Sequence, residues 1–222
     1  MADSRAPSPE KMVAGLYGTA APGVRAYVRL RPWILPFEAI DRSVPQRGLI
    51  LDVGCGYGVL ANWLALSARE RFVVGIDRDV KRIVVAQRTV GNRTNIAFLV
   101  ADALRVPLEA WDGIVLTDFL HHLPRPEQDR FLVEVHRRLR PCGVLAIREV
   151  GERPRWKHLM SRLADGVLYP GDRIAYRRPS ELIAFLEGLG FAVEWQPDHP
   201  GRPFCTYLYI CRLRDRDTAP TP

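Results

Sequence analysis

Lysine is nearly missing from this chain: of its 32 basic residues only Lys11, Lys81 and Lys157 are lysines. The formal net charge of +7 therefore rests on arginines spread along the sequence, and they gather into no tight basic block interleaved with aromatics. That distribution disfavours a nucleic-acid surface. Cysteine is scarce as well, and Cys55, Cys142, Cys205 and Cys211 have no C-x-x-C spacing. Neither a zinc knuckle nor a disulfide framework is indicated, so reduced thiols that mostly pack are expected, and no metal site. No apolar run approaches the length of a membrane span, and the start, Met1 to Pro7, lacks the apolar core of a signal peptide. A cytoplasmic protein is expected, with contact at a membrane surface left open. No internal repeat is present.

What remains is 222 residues, 47% hydrophobic, the size of one α/β domain with decoration. From Gly48 onward, strand-like runs alternate with amphipathic helical ones: Leu49–Val53, Val59–Ser67, Phe72–Ile76, Val80–Thr89, Ile96–Val100, Gly113–Leu116, Glu127–Leu139 and Val144–Arg148. Such alternation predicts a Rossmann-like, mostly parallel sheet with helices on both faces, and ligands beyond the carboxyl ends of the strands. A helix from Ser180, capped by that serine, then strands at Phe191–Trp195 and Thr206–Arg212, close the sheet antiparallel. Residues 1–47, broken by Pro22, Pro32 and Pro36, read as lid or cap helices. Residues 48–213 form the main domain, 151–179 a substrate-side insertion within it, and 214–222 a disordered tail.

The most telling stretch is Asp52-Val53-Gly54-Cys55-Gly56-Tyr57-Gly58, an apolar strand that runs into three alternating glycines and then a helix. Glycine permits positive φ and leaves no Cβ between backbone and ligand, and the next helix aims its first amides into the site. A dinucleotide turn would read G-x-G-x-x-G; here the third glycine comes one residue early, with Asp52 close by. That carboxylate would repel a pyrophosphate but can accept hydrogen bonds from a cationic, amine-bearing ligand. Asp77 ends the second strand, beside Arg78, where it can accept both ribose hydroxyls; alternatively it caps the next helix, a task open to Asp79. Asp102, at the third tip, can accept from an adenine amino group. Three acids and a glycine turn at successive tips all meet at one sheet edge.

These residues resemble the class I S-adenosylmethionine-dependent methyltransferases. Asp52 to Gly58 looks like that family's first motif, Gly75-Ile76-Asp77 the second, Ala101-Asp102-Ala103 the third, Trp111 to Leu123 the fourth, and Leu139 to Leu145 the turn and strand that follow. Residues 149–157 and 29–38 are similar to stretches of small bacterial methyltransferases associated with lipid-like or aryl-polyene pathways. The resemblance implies a seven-stranded sheet with its last strand antiparallel and S-adenosyl-L-methionine as cofactor. It places the methionine part at Asp52, Gly54, Cys55, Gly56 and Gly58, the ribose at Asp77, the adenine at Asp102 and Ala103, and Thr117 near the sulfonium, with His122 tying the turn. Pro141-Cys142-Gly143 stands where the family commonly has Pro-Gly-Gly, tolerable if the cysteine keeps a negative φ.

Methyl transfer requires alignment of the acceptor and exclusion of water, with a base only if the acceptor must lose a proton. Asp118, His121 and Glu149 are the candidate catalytic groups, with Tyr17, Lys157 and Tyr169 further ones from lid and insertion. Each has a plainer reading: Asp118 capping the turn, His121 at the surface, Glu149 paired with Arg148. Adjacent histidines cannot share a face, so one at most enters the site. Thr117-Asp118-Phe119-Leu120 lacks the Asn/Asp-Pro-Pro-Tyr/Phe pattern of enzymes that methylate bases or amides. Leu30, Trp33, Ile34, Leu35 and Phe37 suit an apolar or acyl-linked small acceptor, or simply bury the lid. The expected function is methyl transfer to oxygen or carbon of a small aromatic or lipid-like molecule. RNA methylation and a non-catalytic cofactor-binding partner subunit are the alternatives.

Overall fold

The computed structural model describes residues 8–105, 110–151, 156, 159, 174–197 and 205–214. Seven strands form one sheet in the order β3-β2-β1-β4-β5-β7-β6. They are β1 (Gly48–Val53), β2 (Arg71–Asp77), β3 (Ile96–Val100), β4 (Trp111–Thr117), β5 (Leu139–Val150), β6 (Phe191–Pro197) and β7 (Thr206–Leu213). The first five pair in parallel, and β7 slots between β5 and β6, antiparallel to both. Both the parallel core and the antiparallel closure agree with the reading of the sequence.

Side chains alternate along each strand, so two cores form. Ile50, Val73, Val115 and Ala146 face helices α4 (Val59–Ser67) and α5 (Val80–Arg88), together with three N-terminal helices, α1 (Pro9–Leu16), α2 (Pro22–Ile34) and α3 (Phe37–Ser43). Leu51, Ile114, Leu116 and Ile147 face α6 (Arg125–Arg138) and α7 (Pro179–Gly188). A short 3-10 turn, Leu120–His122, links β4 to α6.

Three local expectations need correction. Pro32 breaks no helix: it lies in the last turn of α2, where one hydrogen bond is lost but packing of Val28 and Leu35 holds the segment. Ser180 is not a cap, because Pro179 starts α7 at its first position and Arg178 precedes it with no side-chain cap bond. Cys142 has φ +65°, not the negative value its side chain would favour, so the turn into the second half of β5 carries strain that glycine would relieve. Most of the insertion at 151–179, Lys157 and Tyr169 with it, and the tail beyond Arg214 lie outside the described residues.

Candidate active site

At the end of β1 the chain turns through Gly54, Gly56 and Gly58, all with positive φ. Nothing lies within 4 Å of a Cβ placed on Gly56, so its glycine serves the φ of +55° and leaves the backbone open to a ligand. Gly58 is needed twice over, since at φ +76° a Cβ would also stand 2.4 Å from the Phe98 ring. The turn is fastened to β2: the Cys55 amide donates to the Ile76 carbonyl at 3.0 Å, and the Gly56 amide to Asp77 Oδ2 at 2.8 Å. Asp77 Oδ1 accepts from the Asp79 amide, while Asp79 caps α5 by accepting from Lys81 and Arg82. Asp79 thus takes the capping role, and Asp77 faces the turn.

Along the tips of β1, β2 and β3 runs a cavity of about 220 Å³. Gly54, Asp77, Arg78, Asp102, Ala103 and His122 border it. Asp102 is exposed, accepts from the Leu104 amide at 3.0 Å and lies 3.5 Å from Arg105. A smaller space of about 30 Å³ shares Gly54, Arg82 and Asp118 with the first and adds Arg31, Leu35, Asp52, Cys55, Gly56 and Thr117. Asp52 is 1% exposed, and neither carboxylate oxygen has a hydrogen-bond partner among the described residues. Burial raises its pKa to about 7, against the pull of Arg31 and of the Ala61 amide, which favours the charged form without meeting hydrogen-bond geometry. Burial and the neighbouring charges of Asp52 and Asp77 push the Cys55 thiol well up, so it is no nucleophile.

The tips of β4 and β5 are built differently. Asp118 has φ +53° and is clamped by Arg148 and by Arg31, the latter reaching it from α2 at 3.2 Å. Burial would raise its pKa, but Arg148 and then Arg31 prevail and hold it below the usual carboxylate value. Arg148 also donates to the Ile34 carbonyl and to Thr206, both at 3.1 Å, so the end of α2 is anchored to this rim. Glu149 does not form the expected pair with its neighbour, because consecutive strand residues face opposite ways. Instead Glu149 accepts from the Phe119 amide at 3.2 Å and the Leu120 amide at 2.7 Å, and meets His121 Nδ1 at 2.6 Å.

Of the two histidines, His122 borders the large cavity, whereas His121 is 1% exposed and sits behind the turn against Glu149. His121 borders neither of the two cavities described above. Tyr17 is likewise no base: it is buried, donates to the Tyr57 carbonyl at 2.7 Å, accepts from Asn62, and burial raises its pKa further. Of the apolar residues between positions 30 and 37, Leu35 and Phe37 turn inward while Leu30 and Trp33 are exposed, and Leu35 borders the small space. Sequence reasoning missed Arg31, Arg82 and Tyr27, which line that space. The available signal was the strand-tip Asp118, a buried acid in need of a cation.

A family model described as a methyltransferase domain matches residues 50–143. Methyltransferase GfsG of Streptomyces halstedii is 33% identical over 119 residues, 51% of this chain and 41% of that protein. Ubiquinone biosynthesis O-methyltransferase of Pseudomonas fluorescens is 28% identical over 168 residues, covering 70% of this chain and 69% of its own. The chain thus spans about two fifths of the first relative and about two thirds of the second. The solved structure of magnesium protoporphyrin IX methyltransferase from Synechocystis, with bound SAH, superposes with a TM-score of 0.64 at 20% identity, over 91% of this chain and 93% of that one. The family match runs from β1 through the turn into β5, across the strand tips that form the rim, so residues 50–143 are similar to a methyltransferase domain, and the chain shares its fold with a methyltransferase solved with bound SAH.

Proposed function

We propose that the chain transfers the methyl group of S-adenosylmethionine to oxygen or carbon of a small aromatic or lipid-like acceptor. The observation that carries this reading is the pair of neighbouring cavities that share Gly54, Arg82 and Asp118, one walled by the acids of the β2 and β3 tips and the other closing on Asp52 and Arg31. The residues fit the cofactor. Each oxygen of Asp77 accepts one backbone amide, and a carboxylate has about four acceptor sites, so two ribose hydroxyls can be added. Asp102 and Ala103 lie farther along the same cavity, where an adenine would reach, and Asp52 offers a buried acceptor for an ammonium.

When bound, the cofactor supplies a methyl carbon already activated by its sulfonium. The chain's own contribution is alignment and dryness. Glu149 sets the Phe119–His122 turn through two amides, and that turn presents Phe119 and His122 to the large cavity. Arg31 and Arg148 fasten the lid helix over Asp118, with Tyr27 and Leu35 roofing the small space and excluding water. A small acceptor is favoured over RNA by where arginine is spent: Arg71 and Arg148 are buried, and Arg31, Arg125 and Arg177 are engaged in ion pairs. The similarity to an enzyme of ubiquinone biosynthesis supports the acceptor class.

The test is product formation from labelled S-adenosylmethionine with phenols, fatty acids and a structured RNA offered separately. Label in a phenol or acid is the expected result; label in RNA alone would overturn the acceptor assignment.

A further inference from the structure

The glycine turn is gripped from α1 as well as from β2. Tyr17, the residue that closes α1, is buried and donates to the Tyr57 carbonyl at 2.7 Å. The next amide along, that of Gly58, donates to the Cys55 carbonyl at 2.8 Å. The peptide unit between Tyr57 and Gly58 is thus held by its oxygen and by its nitrogen. The direction of the Tyr17 hydroxyl follows from its neighbours. Arg93 donates to Asn62 Oδ1, and a guanidinium cannot accept, so the Asn62 amide nitrogen is the atom left for the tyrosine. That nitrogen donates to the Tyr17 oxygen at 2.9 Å and to the Gly58 carbonyl at 2.8 Å. A phenol carries one hydrogen; with its oxygen accepting from Asn62, the hydrogen goes to Tyr57. The Tyr57 ring meets the Tyr27 ring of α2 edge-on at 5.3 Å, with Arg82 of α5 over it at 5.9 Å. Tyr17 itself borders neither cavity of the site, so it reaches a ligand only through this backbone.

We propose that Tyr17 is a positioning residue for cofactor binding: its hydroxyl sets the glycine turn, before any ligand arrives, in the shape that receives the amino-acid end of the nucleoside. The inference rests on S-adenosylmethionine being the ligand of that turn. Gly54, Gly56 and Gly58 all have positive φ, and glycines left unheld spread over many backbone shapes. A turn fixed in advance spares the ligand the cost of ordering it. Asn62 aims the hydroxyl, Tyr17 carries the constraint from α1 to the Tyr57 carbonyl, and α1 thereby belongs to the cofactor site.

The experiment is calorimetry with S-adenosylhomocysteine, which has the amino-acid end, and methylthioadenosine, which lacks it, at a temperature where every variant is folded. Tyr17→Phe keeps the ring and removes the hydroxyl. It should weaken S-adenosylhomocysteine about tenfold, the effect of one lost hydrogen bond and an unsatisfied buried carbonyl, and leave methylthioadenosine as in the native chain. Val13→Ala is the control, because Val13 is buried on the same helix: it should lower the urea midpoint while both affinities stay unchanged. Native affinity for S-adenosylhomocysteine in Tyr17→Phe, an equal loss for methylthioadenosine, or the same loss in Val13→Ala would each overturn the proposal. Should Tyr17→Phe fail to fold, amide hydrogen exchange on the native chain decides. The Gly58 amide should be protected without ligand and gain little from S-adenosylhomocysteine; protection that arrives only with the ligand would overturn the proposal. A native chain that binds neither nucleoside removes the cofactor reading and this inference with it, whereas native binding of both that Tyr17→Phe leaves intact removes this inference alone.

Discussion

The two halves of the rim hold the same kinds of residue and use them in opposite ways. At the tips of β1, β2 and β3, Asp52, Asp77 and Asp102 face cavities, and among the described residues none forms an ion pair with a buried arginine. At the tips of β4 and β5, Asp118 and Glu149 are consumed by Arg31, Arg148, His121 and two backbone amides. Under the proposed function the first half is the receptor for the ligand, while the second is a frame that fixes the Phe119–His122 turn and the end of α2. A buried acid is thus informative only together with its partners.

The contrast is sharpest where charge is removed. Asp118→Asn keeps a residue that tolerates φ +53° but removes the Asp118 charge from beside Arg148, which is 2% exposed. Unfolding in urea should show a loss of about 3–5 kcal/mol. Asp52→Asn should do the reverse. Its folded pKa lies above the usual carboxylate value, so the native state gives up stability as pH rises towards about 7. The ligand-free variant should therefore gain about 2–4 kcal/mol over the native chain at pH 8 and almost nothing at pH 4. Asp118, with its pKa depressed, gives stability that is present above the usual carboxylate range and is lost as pH falls further. The two halves should thus fail from opposite ends of the pH scale, and equal pH profiles for both variants would erase the distinction.

Asp77→Ala should weaken cofactor binding about a hundredfold or more, since even one hydrogen bond to a charged group contributes about 1.5–3 kcal/mol, with a smaller cost to folding from two freed amides. A variant that lost stability but kept its affinity would move Asp77 into the frame. The smallest effect lies away from both regions: Cys142→Gly should stabilise the fold by about 1 kcal/mol, read as a raised urea midpoint, by relieving the φ of +65°.

The receptor half was legible in the sequence because its parts are local. Glycines adjacent in the chain make one turn, and an acid at the end of an apolar run lies at a strand tip wherever that run becomes a strand. Asp79 beside Asp77 even signalled which of them caps α5. The frame was not legible, because its partners come from distant segments: Arg31 lies 87 residues before Asp118, and Glu149 reaches His121 across 28. Local pattern suggested instead the adjacent pair of Glu149 with Arg148, which strand alternation forbids. The φ of Cys142 escaped for a related reason, since turn type follows from the register of β5 against β4, and that register shifts at Trp111 and Gly113.

The central claim is that the acids of the first half exist to hold an adenosyl amino acid, and calorimetry with S-adenosylmethionine on the native chain and on Asp77→Ala tests it most directly. The account predicts one saturable site on the native chain and about a hundredfold weaker binding in the variant. Equal affinity in the two proteins, or no binding to the native chain, would contradict it.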